Sequence, residues 1–246
     1  MRVWLWMAII IGLLLGRQGF ASDDAPLRRT PTSPVPTLRF STVKAQLLTE
    51  GQAALAARLA LVAQAQSQID MQYYVYHDDH SGRQLARALL AAANRGIKIR
   101  ILLDAIHGRD DDIAAALNQH PNIEIRRFNP FRWRQLRLLE SVLAFNRLNR
   151  RMHNKQMIVD GVRAIVGGRN IGDEYFGLDD KNSFADLDVM ISGKVATDLE
   201  KVFGVYWKNK RSKSIHRLSA EGHRKLEHLE VLLAKTQESD DALIKP

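Results

Sequence analysis

Two short stretches decide the fold: HNKQMIVD at residues 153–160 and GGRN at residues 167–170. Apolar runs lie on either side of Asp160-Gly161, a dipeptide that favours the tight turn of a β-hairpin. We therefore predict an antiparallel hairpin that carries both stretches. A two-residue turn places Gly168 opposite His153 on the returning strand, with Asn170 just beyond it.

His153 and Lys155 project to the same side of the predicted strand, because side chains alternate between the two faces. A neutral histidine can attack phosphorus and form a phosphohistidine, which divides one displacement into two easier steps. Lys155, Gly168 and Asn170 are the candidates for binding the phosphate oxygens. This combination predicts phosphodiester chemistry without a metal or another cofactor.

A carboxylate must hold the attacking imidazole in the correct tautomer. Asp160 has the opposite parity to His153 and lies at the turn, so we expect it to stabilise the hairpin or to pair with a nearby cation. Asp186 is the best candidate for orienting the histidine, because a charged residue that enters an apolar strand needs a polar partner. Asp188 lies on the same face of that strand and is the rival candidate.

Apolar patterns elsewhere predict alternating strands and helices. We predict strands at residues 69–75, 97–103, 123–127 and 187–191, and helices at residues 49–66, 81–94, 110–119 and 195–207. Such alternation indicates an α/β fold with a mixed, mostly parallel sheet flanked by helices, interrupted by the one antiparallel hairpin.

The ends of the chain differ from its centre in composition. Residues 1–21 contain Arg2 and an apolar run, which is typical of a secretory signal or an N-terminal anchor, and residues 22–40 are a proline-rich tether. We assign residues 41–210 to one catalytic lobe and residues 211–246 to a charged helix and tail. The protein is therefore expected outside the cytoplasm, in the periplasm or on the outer face of the inner membrane.

The net charge of +9 favours anionic partners, and the absence of cysteine excludes disulfides and thiolate chemistry. Residues 134–146 can form an amphipathic helix, which either lies on anionic lipid or packs on the sheet. The residues predicted to contact the membrane or phosphates near this helix are Arg132, Trp133, Arg134, Arg137, Arg150 and Arg151.

The remaining histidines show no tight ligand pattern with carboxylates, so we predict no metal site. His77, Asp78, Asp79 and His80 form a polar cluster that is more typical of a loop. His223 and Lys225 repeat the His-x-Lys spacing, but no Gly-Gly-x-Asn follows them and we interpret the match as chance.

Together, His153, Lys155, Asp160, Gly168 and Asn170 resemble the HxKxxxxD and GGxN signature of the phospholipase D superfamily. The resemblance extends from about residue 52 to residue 207. The runs FNPF (128–131), LNRRMHNK (148–155) and GGRNIGDEYF (167–176) are similar to the cardiolipin synthase C-type branch.

The resemblance implies a phospholipase D-like lobe and a phosphatidyl-transferring enzyme that acts on anionic phospholipid at a bacterial membrane. It also implies that residues at the positions of His153, Lys155 and Asn170 line the active site, that a carboxylate at Asp186 orients the histidine, and that Asp160 belongs to the catalytic motif. Members of this branch carry two such motifs in two facing lobes, whereas this chain has one convincing copy.

Three hypotheses follow for a chain with one copy of the motif. The second lobe comes from a homodimer mate or from a separate C-terminal partner chain that carries another HxKxxxxD motif. Alternatively, the chain is a secreted single-motif nuclease or phosphodiesterase that acts on nucleic acid. In the third hypothesis it is an inactive, membrane-associated half-protein.

Overall fold

The computed structural model describes residues 44–106, 112–131, 139–140, 143–179 and 183–215, together with Val231. The predicted signal segment and tether, residues 1–40, lie outside the described residues. So do Arg132, Trp133, Arg134 and Arg137 and nearly all of the predicted C-terminal helix. None of the helices in the described ranges combines the length and apolarity that a bilayer-spanning helix needs.

One mixed sheet organises the described chain. Its strands are β1 (Lys44–Leu48), β2 (Gln68–Tyr73), β3 (Lys98–Asp104), β4 (Ile123–Phe128), β5 (Gln156–Val159), β6 (Arg163–Gly167), β7 (Asp188–Ser192) and β8 (Ser212–Ser214). Their order across the sheet is β1-β7-β6-β5-β2-β3-β4-β8. Strand β8 extends the sheet beyond residue 210, the predicted end of the lobe.

Helices cover both faces of this sheet, which confirms the α/β class. They are α1 (Gly51–Ala63), α2 (His80–Asn94), α3 (Asp112–Leu117), α4 (Phe145–Leu148), α5 (Asp173–Phe176) and α6 (Lys194–Trp207). The parallel share of the sheet is smaller than predicted, because only β2, β3 and β4 pair in parallel. Each of the other pairings is antiparallel.

Strand alternation divides the apolar core into two layers. Met157 and Val159 of β5 pack in the larger cluster, with residues of α1, α2 and α3. Ile158, which lies between them in sequence, packs in the smaller cluster with Phe203 and Trp207 of α6. Alternate side chains of β5 therefore lie on opposite faces of the sheet, and both faces are buried.

The turn of the β5–β6 hairpin contains one residue more than predicted. Asp160, Gly161 and Val162 connect the strands, because the last hairpin pair is Val159 with Arg163. Asp160 and Gly161 both adopt positive φ angles, of 56° and 64°. Glycine takes this conformation freely and aspartate tolerates it, so the dipeptide did mark the turn correctly.

The additional residue shifts the register of the hairpin by one position. Lys155 lies opposite Gly167, whose N–H donates a hydrogen bond of 3.3 Å to the Lys155 carbonyl oxygen. The prediction that Gly168 lies opposite His153 is therefore wrong.

The Asp160 carboxylate stabilises the connection that enters β2. It accepts hydrogen bonds from the backbone N–H groups of Gln66, Ser67 and Gln68 at 2.8–3.0 Å, and from the Ser67 hydroxyl. Partial burial acts to raise the pKa of Asp160, but these hydrogen bonds together outweigh it and hold the pKa below its usual value. Asp160 is thus a stabilising residue as expected, but its carboxylate holds the connection into β2 and not the hairpin or a cation.

A buried ion pair joins α1 to β7. The Arg58 guanidinium is 1% exposed and its Nη2 lies 2.9 Å from Oδ2 of Asp188, which is fully buried. Arg58 also donates to the Ala54 carbonyl oxygen and to the Tyr73 hydroxyl. The charge of Asp188 is therefore balanced inside the protein.

Arg169 is the second cation beside this carboxylate. Its Nη1 lies 3.5 Å from Asp188 Oδ2, and its backbone N–H donates to Asp188 Oδ1 at 3.3 Å. The Arg169 guanidinium also donates to the carbonyl oxygens of Leu48, Thr49 and Tyr175. These bonds join the end of β1, the start of α1 and α5 to the residues that follow β6.

We expect Asp160→Asn to lower the free energy of unfolding by about 1 kcal/mol at pH 7, after allowance for solvent screening at this partly exposed carboxylate. Because the folded-state pKa is depressed, the carboxylate contributes stability above its unfolded pKa of about 3.9 and loses it as pH falls through the folded pKa. Urea titrations of both proteins between pH 3 and 7 should therefore converge at the acidic end.

The control for this measurement is Asp198→Asn, which removes an exposed carboxylate beside Lys201 on α6. We expect its unfolding midpoint to match that of the unsubstituted protein. A gap between Asp160→Asn and the unsubstituted protein that stays constant down to pH 3 would contradict the role of the charge.

Asp188→Ala leaves two arginines buried without their carboxylate, so we expect it to lower the free energy of unfolding by about 3–5 kcal/mol. Asp186→Ala is the matched control, because this aspartate precedes the same strand but is partly exposed. Denaturant titration compares the two. Equal losses of stability would show that the Arg58–Asp188 pair has no special importance.

Candidate active site

The predicted site residues lie at one edge of the sheet, called here the site edge. At this edge β2, β3, β4 and β6 end, and β5 and β7 begin. His153 and Lys155 come immediately before β5, Gly168 and Asn170 come immediately after β6, and Asp186 comes just before β7. The topology therefore gathers side chains from three connections.

The structure brings His153 and Lys155 together, as their spacing predicted. The Lys155 Nζ lies 2.8 Å from His153 Nδ1 and donates to the His153 carbonyl oxygen at 3.0 Å. The imidazole packs against the Tyr74 ring with 4.6 Å between centroids, and the same ring lies 5.7 Å from the ammonium. His153 is exposed, so its ring is accessible from solvent.

This contact favours one tautomer of a neutral imidazole. When the Lys155 ammonium donates to Nδ1, the neutral ring carries its proton on Nε2. Burial lowers the pKa of Lys155, and the charge of Asp186 opposes that effect. Asp186 therefore acts electrostatically on the lysine, and the histidine nitrogen that was expected to face a carboxylate faces the ammonium instead.

Asp186 occupies the space that the sequence assigned to a phosphate at Gly168. A Cβ atom on Gly168 would lie 1.8 Å from Asp186 Oδ1, and the same oxygen accepts a hydrogen bond of 2.9 Å from the Leu187 N–H. Gly167 is equally restricted, because its Cβ would lie 2.0 Å from Asp188 Oδ1. The two glycines thus allow two carboxylates to approach the backbone after β6.

The rival candidate, Asp188, forms ion pairs with Arg58 and Arg169 in the interior. Its carboxylate has no exposed surface, so it holds the chain behind the site. Asp186 is the carboxylate of the pair that remains at the site edge.

Asn170 is 4% exposed, and its Oδ1 accepts a hydrogen bond of 3.1 Å from the Val75 N–H. This hydrogen bond fixes the orientation of the Asn170 amide group, because its oxygen faces the Val75 N–H just after the end of β2. The Nδ2 group is then the side that Asn170 can offer as a donor to an anion.

Sequence reasoning missed a buried carboxylate that holds the segment before His153. Asp104, at the end of β3, accepts a hydrogen bond of 2.9 Å from the Met152 N–H and forms an ion pair of 3.1 Å with Arg151. The signal was available, since an aspartate that ends an apolar strand must find a polar partner. The sequence alone did not show which residue would be the partner of Asp104.

Asn129 completes this attachment from the end of β4. Its Nδ2 donates to the carbonyl oxygens of Arg147 and Arg150 at 2.8 and 2.9 Å. Of the two arginines predicted to contact phosphate in this segment, Arg150 is exposed, whereas Arg151 is paired with Asp104. His153 is therefore carried by a firmly attached connection.

Three groups beyond the site come close enough together to hold a cation. One ligand atom each from His77, Asp79 and Glu174 lies within 4.8 Å of the others. His77 Nδ1 is 3.1 Å from a Glu174 oxygen. Both Asp79 oxygens, however, already accept backbone hydrogen bonds, from Gly82 and Asp173. This carboxylate is the N-cap of α2.

Residues 59–207 match the family model described as cardiolipin synthase, PLD-like domain, which covers more than half of the chain. Cardiolipin synthase C of Escherichia coli (strain K12) is 53% identical over 155 residues, which are 63% of this chain and 33% of that protein. The chain aligns with between 33% and 45% of the length of three curated relatives.

Two solved structures have the same fold. NucT from Helicobacter pylori superposes with a TM-score of 0.54 at 16% identity and covers 70% of this chain and 99% of that one. Nuc from Salmonella typhimurium, a phospholipase D family member, has a TM-score of 0.50 at 22% identity and covers 71% and 98%. The fold prediction is confirmed, and the chain belongs to the family of phospholipase D-like cardiolipin synthase domains.

Proposed function

We propose that the chain supplies one catalytic lobe of a phospholipase D-type phosphodiesterase or phosphatidyltransferase that acts on phospholipids. The observation that carries this proposal is the contact of 2.8 Å between Lys155 Nζ and His153 Nδ1, at an edge where Asn170 also offers an amide donor. A nucleophile, a cation and a neutral donor in one place suit a tetrahedral phosphate anion.

The first step forms a bond between His153 Nε2 and phosphorus and breaks the bond from phosphorus to the departing alcohol. The lysine must leave Nδ1 for a nonbridging phosphate oxygen, after which the ring proton can reside on Nδ1 and the Nε2 lone pair is free. Asp186, which already acts on the charge of Lys155, is the carboxylate that can receive this Nδ1 proton in a hydrogen bond.

In the second step a hydroxyl group of water, glycerol or another lipid attacks phosphorus and displaces the imidazole. The departing alcohol of the first step needs a proton, and the acceptor of the second step must lose one. We propose that the second lobe, from a dimer mate or from a partner chain with another HxKxxxxD motif, supplies this acid and base. We also propose that the reaction takes place outside the cytoplasm, where the N-terminal segment would deliver the lobe.

Phospholipid is the preferred substrate class because cardiolipin synthase C, the relative at 53% identity, is named for a lipid reaction. The net charge of +9 suits an anionic lipid surface, although it would also suit nucleic acid. Incubation with phosphatidylglycerol vesicles and with single-stranded DNA, each with and without EDTA, separates the two substrate classes. DNA cleavage without lipid turnover would contradict the lipid proposal, and binding without either reaction would support an inactive half-protein.

We expect His153→Ala to abolish headgroup release from phosphatidylglycerol vesicles, because it removes the imidazole that would form the intermediate. Lys155→Ala should lower both phosphate affinity and rate, with a loss of at least about 100-fold in kcat/KM. Vesicles labelled with ³²P should leave acid-labile radioactivity on the unsubstituted protein and none on His153→Ala.

The control is His223→Ala, which removes a histidine with the same His-x-Lys spacing but no Gly-Gly-x-Asn after it. It should retain full turnover and labelling. Activity that survives His153→Ala, or a label that survives acid, would refute the assigned nucleophile.

Gly168→Ala should displace the Asp186 carboxylate, because the new methyl group would coincide with its oxygen. We expect turnover to fall by about 10- to 100-fold, with Asp186→Asn causing a similar loss and the double variant causing little more. Gly204→Ala on α6 is the matched control, since nothing lies within 4 Å of its Cβ position. Full activity of Gly168→Ala would show that the position of Asp186 is unimportant.

A further inference from the structure

The large apolar side chains that remain exposed are unevenly distributed. Among the residues that the structure describes, six of the eleven lie in connections at the site edge, and we call these six the apolar rim. The apolar rim consists of Ile106, Leu139, Leu143, Phe145, Phe184 and Leu187. The others are Leu47 on β1, Val162 in the hairpin turn, Val202 and Val205 on α6, and Val231.

Two members of the apolar rim are among the most exposed. Leu143 is 67% exposed and Phe145 is 62% exposed. The short helix α4 that begins at Phe145 is attached to the end of β4 by the bond from Asn129 to the Arg147 carbonyl oxygen. The connection therefore presents these two side chains at the site edge while Leu148 is buried behind them.

Other members of the apolar rim directly adjoin the proposed chemistry. Leu187 lies between Asp186 and the first residue of β7, and its side chain is 47% exposed. Ile106 lies two residues after Asp104, whose carboxylate accepts a hydrogen bond from the Ile106 N–H. Apolar side chains in contact with water thus occur in connections next to the nucleophile-bearing segment.

The connection that carries Leu139, Leu143 and Phe145 is strongly basic. Residues 129–155 contain six arginines and one acidic residue, Glu140. Glu140 is buried and paired with Arg147, and Arg151 is paired with Asp104, so these carboxylates balance two of the six arginines. Arg150, near the end of the connection, is exposed. Apolar side chains beside cations suit the boundary between acyl chains and anionic headgroups.

We propose that the part of the apolar rim around Leu143 and Phe145 is the surface by which this chain contacts an anionic bilayer, with these two side chains inserted among the acyl chains. The proposal rests on the proposed function, because a phospholipid must present its phosphate to His153 while its acyl chains stay in the bilayer. A second copy is the less suitable occupant of this part of the rim. A two-fold contact would place the basic connection against itself, and like charges oppose association.

The absence of cysteine makes a direct test available. A dye attached to Leu143→Cys or Phe145→Cys should be quenched when the full chain binds phosphatidylglycerol vesicles that contain acyl-chain nitroxides. The matched controls are Val162→Cys and Val205→Cys, whose native side chains are 55% and 69% exposed away from the apolar rim. Because all four proteins share the same N-terminal segment, it cannot produce a difference between them.

A pair of substitutions tests the same surface without a label. Leu143→Gln with Phe145→Gln should weaken sedimentation with phosphatidylglycerol vesicles by at least about 10-fold, whereas Val162→Gln with Val205→Gln should leave it unchanged. The proposal is overturned if the unsubstituted protein does not bind these vesicles, or if the controls are quenched as strongly as positions 143 and 145. It is also overturned if the rim substitutions change only the mass measured by light scattering without lipid, which would assign the surface to a second copy.

These readouts separate this surface from the proposed reaction. Quenching at positions 143 and 145 without any lipid turnover would support the bilayer contact and count against the enzymatic proposal. Lipid turnover without quenching at these positions would support the reaction and overturn the bilayer contact.

Discussion

The carboxylate of Asp188 lies between the guanidinium groups of Arg58 and Arg169, and all three side chains are withdrawn from water. A buried charge is costly unless it is paired, so this cluster can exist only when α1, β7 and the residues after β6 have their native positions. Arg169 separates Gly168 from Asn170 in the sequence. The positions of Gly168 and Asn170 therefore depend on the buried ion pairs that Asp188 forms behind them.

Much of the sheet was predictable, because its central strands are apolar runs with clear boundaries. The hairpin could be assigned from Asp160-Gly161, but its register could not, since nothing in the composition shows whether Val162 belongs to the turn or to the strand. Strand β1 was missed because four of its five residues are exposed and it carries no alternating apolar pattern. Its position is fixed by pairing with β7, which is distant in sequence.

The site could be predicted where its residues are close in sequence and much less well where they are distant. His153 and Lys155 are two positions apart, and the alternation of side chains along an extended segment is enough to place them together. The choice between Asp186 and Asp188 depends on Arg58, which lies 130 positions before Asp188. Asp104 was overlooked for the same reason, because its hydrogen-bond donor, the Met152 N–H, lies 48 positions away. Sequence spacing therefore identifies candidate site residues, whereas contacts between distant residues determine what each of them does.

The contact between the Lys155 ammonium and the His153 ring has one more consequence. When the ring nitrogen next to the lysine accepts a hydrogen bond from it, the other nitrogen of a neutral ring carries the proton. An imidazole in this state is a poor target for stray electrophiles. In the proposed reaction the reactive form arises only when a phosphate draws the lysine away, so the arrival of the phosphate would itself activate the nucleophile.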